Sequence, residues 1–321
     1  MALTAESVTA VVPTVGRSPL VGDCLAALRQ EGGARLRIVL VEQGGAPGPV
    51  EPSLAVERLR APELLGFARA ANLGIAAART PWIALVNDDA VPRAPWLEPL
   101  VEALERDARA AAAQGVNLER RALSIGPAGQ RIDGCGLEWN DRWQAVQLLH
   151  HRPVSEAPTT DREVFGVSAT AAVYRRSALE AAAGAGGAAF DARLGAYYED
   201  VDLACRLRAK GFRAWLVAAA ACEHLGSASL RAGDRLALVY RNRYLVLARL
   251  LGRSFWPRLP LLVARDAATL VAAAAGGDRA LAGAIARGLI SAPRRLAGFA
   301  SFERPLLDPI VTSSPAIDSR P

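Results

Sequence analysis

The chain has 321 residues, 51% of them hydrophobic and 22% charged, which is enough for one large α/β domain with an appendage, or two domains, and too apolar for a disordered chain. Its four cysteines, Cys24, Cys135, Cys205 and Cys222, form no C-x-x-C pair, which argues against a disulfide framework or a zinc knuckle and for a reducing cytoplasm. The net charge of +6 is uneven: from Arg231 onward 14 arginines face 6 acids, while the rest carries 24 basic against 26 acidic residues. Such a basic C-terminal region either meets an anionic surface, membrane headgroups or nucleic acid, or presents ordinary solvated helix faces.

The N-terminus lacks a basic segment followed by an apolar run, so no signal peptide is expected. No stretch reaches the ~18 uninterrupted apolar residues of a membrane span; Leu259 to Ala275 is broken by Arg265 and Asp266. In chain order, Val8–Val12 reads as a strand stopped by Pro13 and followed by Thr14. A helix follows from about Pro19 to Gln30, with Leu20, Cys24, Leu25 and Leu28 on one face and Gly32-Gly33 at its end. Arg37–Val41 is a second strand with Glu42 at its carboxyl end, and Ala55–Leu59 a shorter third. Gly66 opens a helix to about Ala78.

Next comes the stretch around which the chain is organised. Trp82–Val86 is apolar and β-favouring, and it runs directly into Asn87-Asp88-Asp89. Two adjacent carboxylates at the end of a buried strand repel each other and lose hydration, so they need a cation or a donor-rich ligand. Ligands bind at the carboxyl ends of strands in open α/β sheets, and oxygen donors of this kind suit Mg²⁺ or Mn²⁺ shared with a phosphate. The plainer reading is a turn, for which Asn and Asp are common. Three strand ends nevertheless deliver polar groups, Thr14, Glu42 and the Asp pair, and that convergence favours a ligand crevice. Neither G-x-G-x-x-G after the first strand nor G-x-x-x-x-G-K-[ST] occurs, which disfavours a nicotinamide dehydrogenase and a P-loop NTPase.

After a helix from about Pro95 to Asp107 the pattern loosens. Arg131–Leu137 reads as a turn and short strand, and His150-His151 as loop residues. A β-like run over Val167–Tyr174 passes into a helix at Ser177. The second focus is Tyr197-Tyr198-Glu199-Asp200-Val201-Asp202, which opens a helix ended by Gly211. Acids at its start and bases at its end oppose its macrodipole, and Asp202 can pair with Arg206 four residues on. An acid at a helix start beside two tyrosines is partly desolvated, which is how a carboxylate gains basicity. Phe212–Val217 is a strand, and His224 follows after it, a lone histidine that reads either as a structural residue or as a ligand. From Ala228 helices dominate, at Arg231–Leu251, Pro257–Ala275 and Arg279–Ile290. Arg241, Arg249, Arg253 and Arg258 lie among Leu, Val, Phe and Trp, the pattern of an interfacial helix.

The ordered set Pro13-Thr14, a second strand ending in Glu42, Gly66-Phe67 with Asn72-x-Gly74, Asn87-Asp88-Asp89, Phe165-Gly166, Glu199-Asp200-x-Asp202-Leu203 with Arg206, and His224 resembles the family 2 glycosyltransferases. These are the inverting group with the GT-A fold, and the likeness is greatest to bacterial rhamnosyltransferase-like members, over about residues 8–250. The resemblance implies a Rossmann-like α/β mixed sheet flanked by helices, with a C-terminal helical appendage. It places a nucleotide-sugar-binding and catalytic domain over 1–228; the helical pattern beyond it marks a region for membrane-surface or oligomer contact over 229–304, and the Pro/Ser-rich stretch 305–321 reads as a frayed tail. It implies that Asp89 is the divalent-metal ligand of the D-x-D motif, with His224 completing the metal shell, and that Asp200 is the catalytic base. It further implies nucleotide-sugar contacts for Pro13, Thr14, Glu42, Gly66, Asn72, Asn87 and Asp88. Asn87 stands where many members have the first Asp, and Glu42 where Asp is more usual.

The activity so implied is Mg²⁺- or Mn²⁺-dependent inverting transfer of a hexosyl or rhamnosyl unit from a nucleoside-diphosphate sugar to a glycan or lipid-linked acceptor, in cell-envelope polysaccharide synthesis. The enzyme would be cytoplasmic and peripheral at the inner face of an anionic membrane, alone or as a homo-oligomer, with no nucleic-acid partner. A nucleotidyltransferase is the rival enzyme, but the loop after the first strand offers only Gly16 and Arg17 rather than a Gly-rich basic run. A sugar-nucleotide-binding protein without catalysis is the rival from outside enzymes. Nothing in the retained Asp89 and Asp200 favours it.

Overall fold

A computed structural model describes residues 7–45, 50–120, 130–184, 186–226 and 232–296. The tail expected over 305–321 and the helix start expected at Arg231 lie outside the described residues. The chain divides into two compact units, one drawn from 1–138, 146–195 and 199–229, the other from 139–145, 196–198 and 230–321.

The first unit is built on a mixed sheet. Its strands are β1 (Val8–Thr14), β2 (Arg37–Gln43), β3 (Glu57–Ala61), β4 (Trp82–Val86), β5 (Ala90–Arg93), β6 (Ala110–Glu119), β7 (Ile132–Gly134), β10 (Arg162–Val164), β11 (Ala171–Arg175) and β12 (Arg213–His224). The order is β10-β12-β6-β11-β4-β1-β2-β3, with β5 on β12 and β7 on β6. A small ribbon pairs β8 (Leu137–Trp139) with β9 (Ala145–Gln147). Helices α1 (Val21–Gly32), α2 (Phe67–Ala77), α3 (Leu97–Arg106), α4 (Arg176–Ala181) and α5 (Glu199–Ala209) complete the unit.

Alternation along the central strands produces two cores. On β4, Ile83 and Leu85 join one apolar cluster, while Trp82, Ala84 and Val86 join the other. On β2, Val39 and Val41 separate in the same way from Ile38 and Leu40. A period of two with apolar residues on both sides marks a strand covered on both faces. Alanines of α2 (Ala68, Ala70, Ala71) fill the first cluster, and Leu25 and Leu28 of α1 with Leu97, Leu100 and Leu104 of α3 fill the second. Gly74 lets α2 approach the sheet: a Cβ there would fall 2.2 Å from Val11 Cγ1.

The strand directions decide where the site forms. β1 pairs parallel with β2 and β4; β11 runs antiparallel to both β4 and β6; and β12 is parallel to β6. Two reversals restore the direction, so the carboxyl ends of β1, β4, β6 and β12 share one edge of the sheet.

Several expected bounds shift. β1 continues through Pro13 to Thr14, pairing Pro13 with Val41. The β4 ladder ends at Val11↔Leu85, so the proline lies past it on that side and its missing N–H interrupts nothing there. β2 runs on to Gln43, so Glu42 is within the strand, and β12 runs on to His224 rather than ending at Val217. The whole of β6, and β5 after the Asp pair, were not expected. An Ala-rich segment has little intrinsic β preference, and here burial between neighbours defines the strand.

The second unit carries α6 (Ala232–Leu251), α7 (Phe255–Ala275) and α8 (Arg279–Leu296). α7 begins before Pro257, which sits in the first turn where no intrahelical N–H bond is lost. Gly288 brings α8 onto α6, since a Cβ there would fall 2.5 Å from Tyr240 Cβ. Arg243 forms a buried ion pair with Asp266, whose carboxylate also accepts from the Tyr244 hydroxyl at 2.8 Å. Arg249 is buried as well, so the expectation that it presents charge on an interfacial helix face is corrected; α6 turns that position inward. The 196–198 segment is held by Asn242, whose Nδ2 donates to Ala196 O at 2.9 Å and Tyr197 O at 2.6 Å. Tyr197 and Tyr198 adopt φ of 64° and 69°, a left-handed conformation that costs side-chain-bearing residues energy and persists only where neighbours fix it.

Candidate active site

Asp88 and Asp89 leave β4 at the shared carboxyl edge and receive different partners. The Thr14 hydroxyl donates to Asp88 Oδ2 at 2.5 Å, and Ser18 Oγ donates to the Asp88 carbonyl at 2.9 Å. Burial lifts the Asp88 carboxyl to about 6, with the Thr14 hydrogen bond opposing the rise and the Asp89 charge adding to it. Asn87 is fixed through its backbone: its N–H donates to Thr170 O at 2.8 Å and its carbonyl accepts from Ala90 N at 3.1 Å.

Asp89, 6% exposed, faces His224 at the end of β12. The Asp89 Oδ1 to His224 Nε2 distance is 3.3 Å. The other ring nitrogen, Nδ1, donates to Asp133 Oδ2 at 2.9 Å. The approach is set by the main chain, because His224 pairs with Ala90 across β5 and β12 and Leu225 N donates to Asp89 O at 3.0 Å. Burial lowers the basicity of His224, but the Asp133 and Asp89 carboxylates outweigh it and raise the ring to about 10. The pull is mutual, and against the opposing effect of burial His224 lowers the Asp133 carboxyl. All three histidines of the chain gather at this edge. His150 Nδ1 contacts the Asp133 carbonyl at 2.7 Å, and His151 hydrogen-bonds Glu119 at the end of β6.

These residues suit a divalent cation. Asp89 Oδ1 and His224 Nε2 are one oxygen and one nitrogen donor that converge to 3.3 Å. Asp133 holds the far ring nitrogen in the manner of a carboxylate behind a metal-bound histidine. Among the described residues no group of three or more such side chains forms a protein-only cage. Two protein ligands, with the rest supplied by phosphate and water, is the arrangement Mg²⁺-type ions prefer.

The Glu199-Asp200 pair opens α5. Asp200 Oδ1 accepts from Val201 N at 2.8 Å and Oδ2 from Ala169 N at 3.4 Å. It lines a pocket with Phe165, Gly166, Val167, Tyr174 and Arg208, which brings the Phe165-Gly166 stretch to the same acid. Asp200 is half-buried and Glu199 fully so, with one Glu199 carboxyl oxygen lacking any hydrogen-bond partner. Burial, then the Asp200 charge, pushes Glu199 well above the carboxylate range, and burial raises Asp200 as well. Further along α5, Arg206 closes a buried pair with Asp202 at 2.9 Å, as their spacing predicts.

Other expected residues are tied elsewhere. Both oxygens of buried Glu42 are taken by arginines of β3, Arg58 and Arg60, the latter at 2.9 Å. The Asn72 amide donates to Phe190 O at 2.8 Å and accepts from Phe190 N at 2.9 Å, a bracket across 118 residues. Gly66, at φ 78°, starts α2 with its N–H on Gln43 Oε1 at 3.0 Å. Asp133 is the residue that sequence reasoning missed. Its local sequence is that of a turn and short strand, and a contact with His224 91 positions away leaves no local signal.

A mixed sheet with an acidic pair at its carboxyl edge and helices on both faces is the GT-A architecture of glycosyltransferases. The glycosyl transferase family 2 model matches residues 9–182, and the chain belongs to that family. Among solved structures it is similar to GalNAc-T7 with UDP, GalNAc and Mn²⁺, at 12% identity and a TM-score of 0.59; the match covers 80% of this chain but only 51% of that one. It is also similar to the mannosyltransferase PcManGT from Pyrobaculum calidifontis in complex with GDP-Man and Mn²⁺, at 20% identity and a TM-score of 0.52, over 91% of this chain and 87% of that one. No curated protein matches the chain.

Proposed function

We propose that the chain is a metal-dependent inverting glycosyltransferase that moves a hexosyl or rhamnosyl unit from a nucleoside-diphosphate sugar to a hydroxyl of a glycan or lipid-linked acceptor in cell-envelope polysaccharide synthesis. The observation that carries this reading is the 3.3 Å approach of Asp89 and His224 Nε2, with Asp133 behind the ring. The Mn²⁺ and nucleotide named with both similar structures support it.

Residues 1–228 act as the donor-binding and catalytic domain, and 229–304 serve membrane or oligomer contact. Asp89 and His224 hold Mg²⁺ or Mn²⁺, which when bound neutralises charge developing on the donor diphosphate. Thr14 orients Asp88 toward ribose or phosphate, while Asn87 and Pro13 shape the floor beside them. Glu42 contributes to the nucleoside pocket by fixing Arg58 and Arg60, and Gly66 and Asn72 by fixing the backbone around α2. Asp200 takes the proton of the acceptor hydroxyl as its oxygen attacks the anomeric carbon. The bond to the diphosphate breaks on the opposite side, so the configuration inverts. The enzyme works at the inner face of the cell membrane.

The test is a thermal-shift series of UDP, GDP and dTDP, each with and without Mn²⁺. Binding to the folded state raises the melting temperature by an amount that grows with the logarithm of ligand concentration over Kd. Stabilisation by one nucleotide that requires Mn²⁺ is expected, and no metal-dependent shift with any of them sinks the reading.

A further inference from the structure

We propose that α7 is the segment by which this protein docks on an anionic lipid bilayer, lying along the surface with its apolar side inserted. The inference deepens the placement of the acceptor at a membrane given above, and it is argued from the helix itself.

α7 is 21 residues long, and only Phe255, Leu262 and Asp266 on it are buried. These three recur at intervals of seven and four and define one narrow strip. The opposite side is open. Trp256 is 61% exposed, Val271 63% and Leu261 56%, with Val263 also exposed. At 100° per residue Trp256, Pro260, Val263, Ala264, Ala267 and Val271 fall within about a third of the circumference. Leu261 leads from there to Arg258 and Arg265, one row of two exposed charges along the edge. A wide apolar face with a tryptophan, bordered by arginine, is the composition of a helix that lies in the headgroup boundary.

The charges select the partner. From 252 to 296 the sequence has seven arginines, at 253, 258, 265, 279, 287, 294 and 295, against two acids, Asp266 and Asp278. All seven arginines are exposed. Asp266, the sole acid of α7, is turned inward onto Arg243 and Tyr244, so it does not offset Arg258 and Arg265 outside. A second copy of the chain, packed face to face, would set these arginines against a helix with no exposed acid to receive them. No helix among the described residues is long and apolar enough to cross a membrane, so insertion is shallow.

The experiment is co-sedimentation of the full chain with vesicles of phosphatidylcholine alone and of phosphatidylcholine with phosphatidylglycerol, without donor or metal. Binding only to the anionic vesicles, weakened by salt, is expected. Arg258→Gln with Arg265→Gln should weaken it by about 10-fold or more, since each basic residue near such a surface adds comparable affinity. Val271→Glu should abolish it. Both variants should melt as the parent does and keep its nucleotide shift with Mn²⁺. Equal binding to both vesicle types, or variants that bind as the parent does, overturns the proposal. So does a parent dimer that Val271→Glu converts to a monomer without loss of vesicle binding. Vesicle binding that persists while no nucleotide binds with Mn²⁺ removes the transferase reading alone and leaves this one standing.

Discussion

The chain holds two pairs of adjacent acids, Asp88-Asp89 and Glu199-Asp200, and they are provided for in opposite ways. Each member of the first pair has a side-chain partner, Thr14 for Asp88 and His224 for Asp89. The second pair receives only backbone N–H groups, and one Glu199 oxygen receives nothing. Only in the first pair does a carboxylate face a charged side chain, Asp89 against His224, as suits a site that holds a cation, while at Asp88 the Thr14 hydroxyl offsets part of the rise that burial brings. The second is left poorly compensated, which raises its proton affinity, as suits a site that accepts a proton.

The sharpest way to break this comparison is at Asp200. Asp200→Asn is expected to keep nucleotide affinity and lose about 10²–10⁴ in transfer rate, the usual cost of removing a positioned general base. Glu199→Gln should retain most of the rate. The reverse result would move the base by one residue, and two active variants would dispose of the proposed chemistry at this pair. Asp89→Ala is expected to abolish the Mn²⁺ dependence of donor binding, read by titration calorimetry with and without metal. An unchanged dependence takes Asp89 out of the site.

His224→Ala and Asp133→Asn probe the support of the first pair, and each should weaken Mn²⁺ binding by about 10- to 100-fold. For Asp133→Asn the loss should come with a changed His224 ring-nitrogen shift in NMR of the metal-free protein, a signature that a purely structural role would not give. If Asp133→Asn melts early yet binds Mn²⁺ as before, Asp133 serves only the fold.

The smallest effect is expected from Glu199 on stability. Its folded carboxyl titrates above the unfolded one. The folded protein therefore holds this proton where the unfolded chain has lost it, and stability falls as pH rises from the unfolded value through the folded one. Glu199→Gln should melt with the parent near pH 4 and above it near pH 7, by about 2–4 °C for each kcal/mol relieved. A melting difference that does not grow with pH contradicts the uncompensated state of the second pair.

The two pairs were also unequally legible in the sequence. The apolar run of β4 flowing into Asp88-Asp89 has the length and composition of a buried strand, and α5 carries its charges in an order only a helix rewards. Both are local patterns, as is the i,i+4 pair Asp202–Arg206. The rest depends on distant contacts. β6 reads as an alanine run until its neighbours bury it. Asp133 reads as a turn until β7 lays it beside β12. Glu42 lies one residue inside β2 rather than beyond its end, and the arginines that occupy it, Arg58 and Arg60, sit two apart on β3 and become visible only once β2 and β3 are in register. Arg249 looked like surface charge because an arginine among leucines gives no sign of which side of α6 faces inward.

The pairing of β5 with β12 has one more consequence. Asp89 immediately precedes Ala90, and Ala90 is the ladder partner of His224. The spacing of the two backbones that carry Asp89 and His224 is thus set by the pitch of a sheet, as the opening of a fixed-jaw spanner is set when it is forged. Under the proposed metal-dependent reading, a cation would be received between these two side chains by rotation about their own bonds, with no movement of strands.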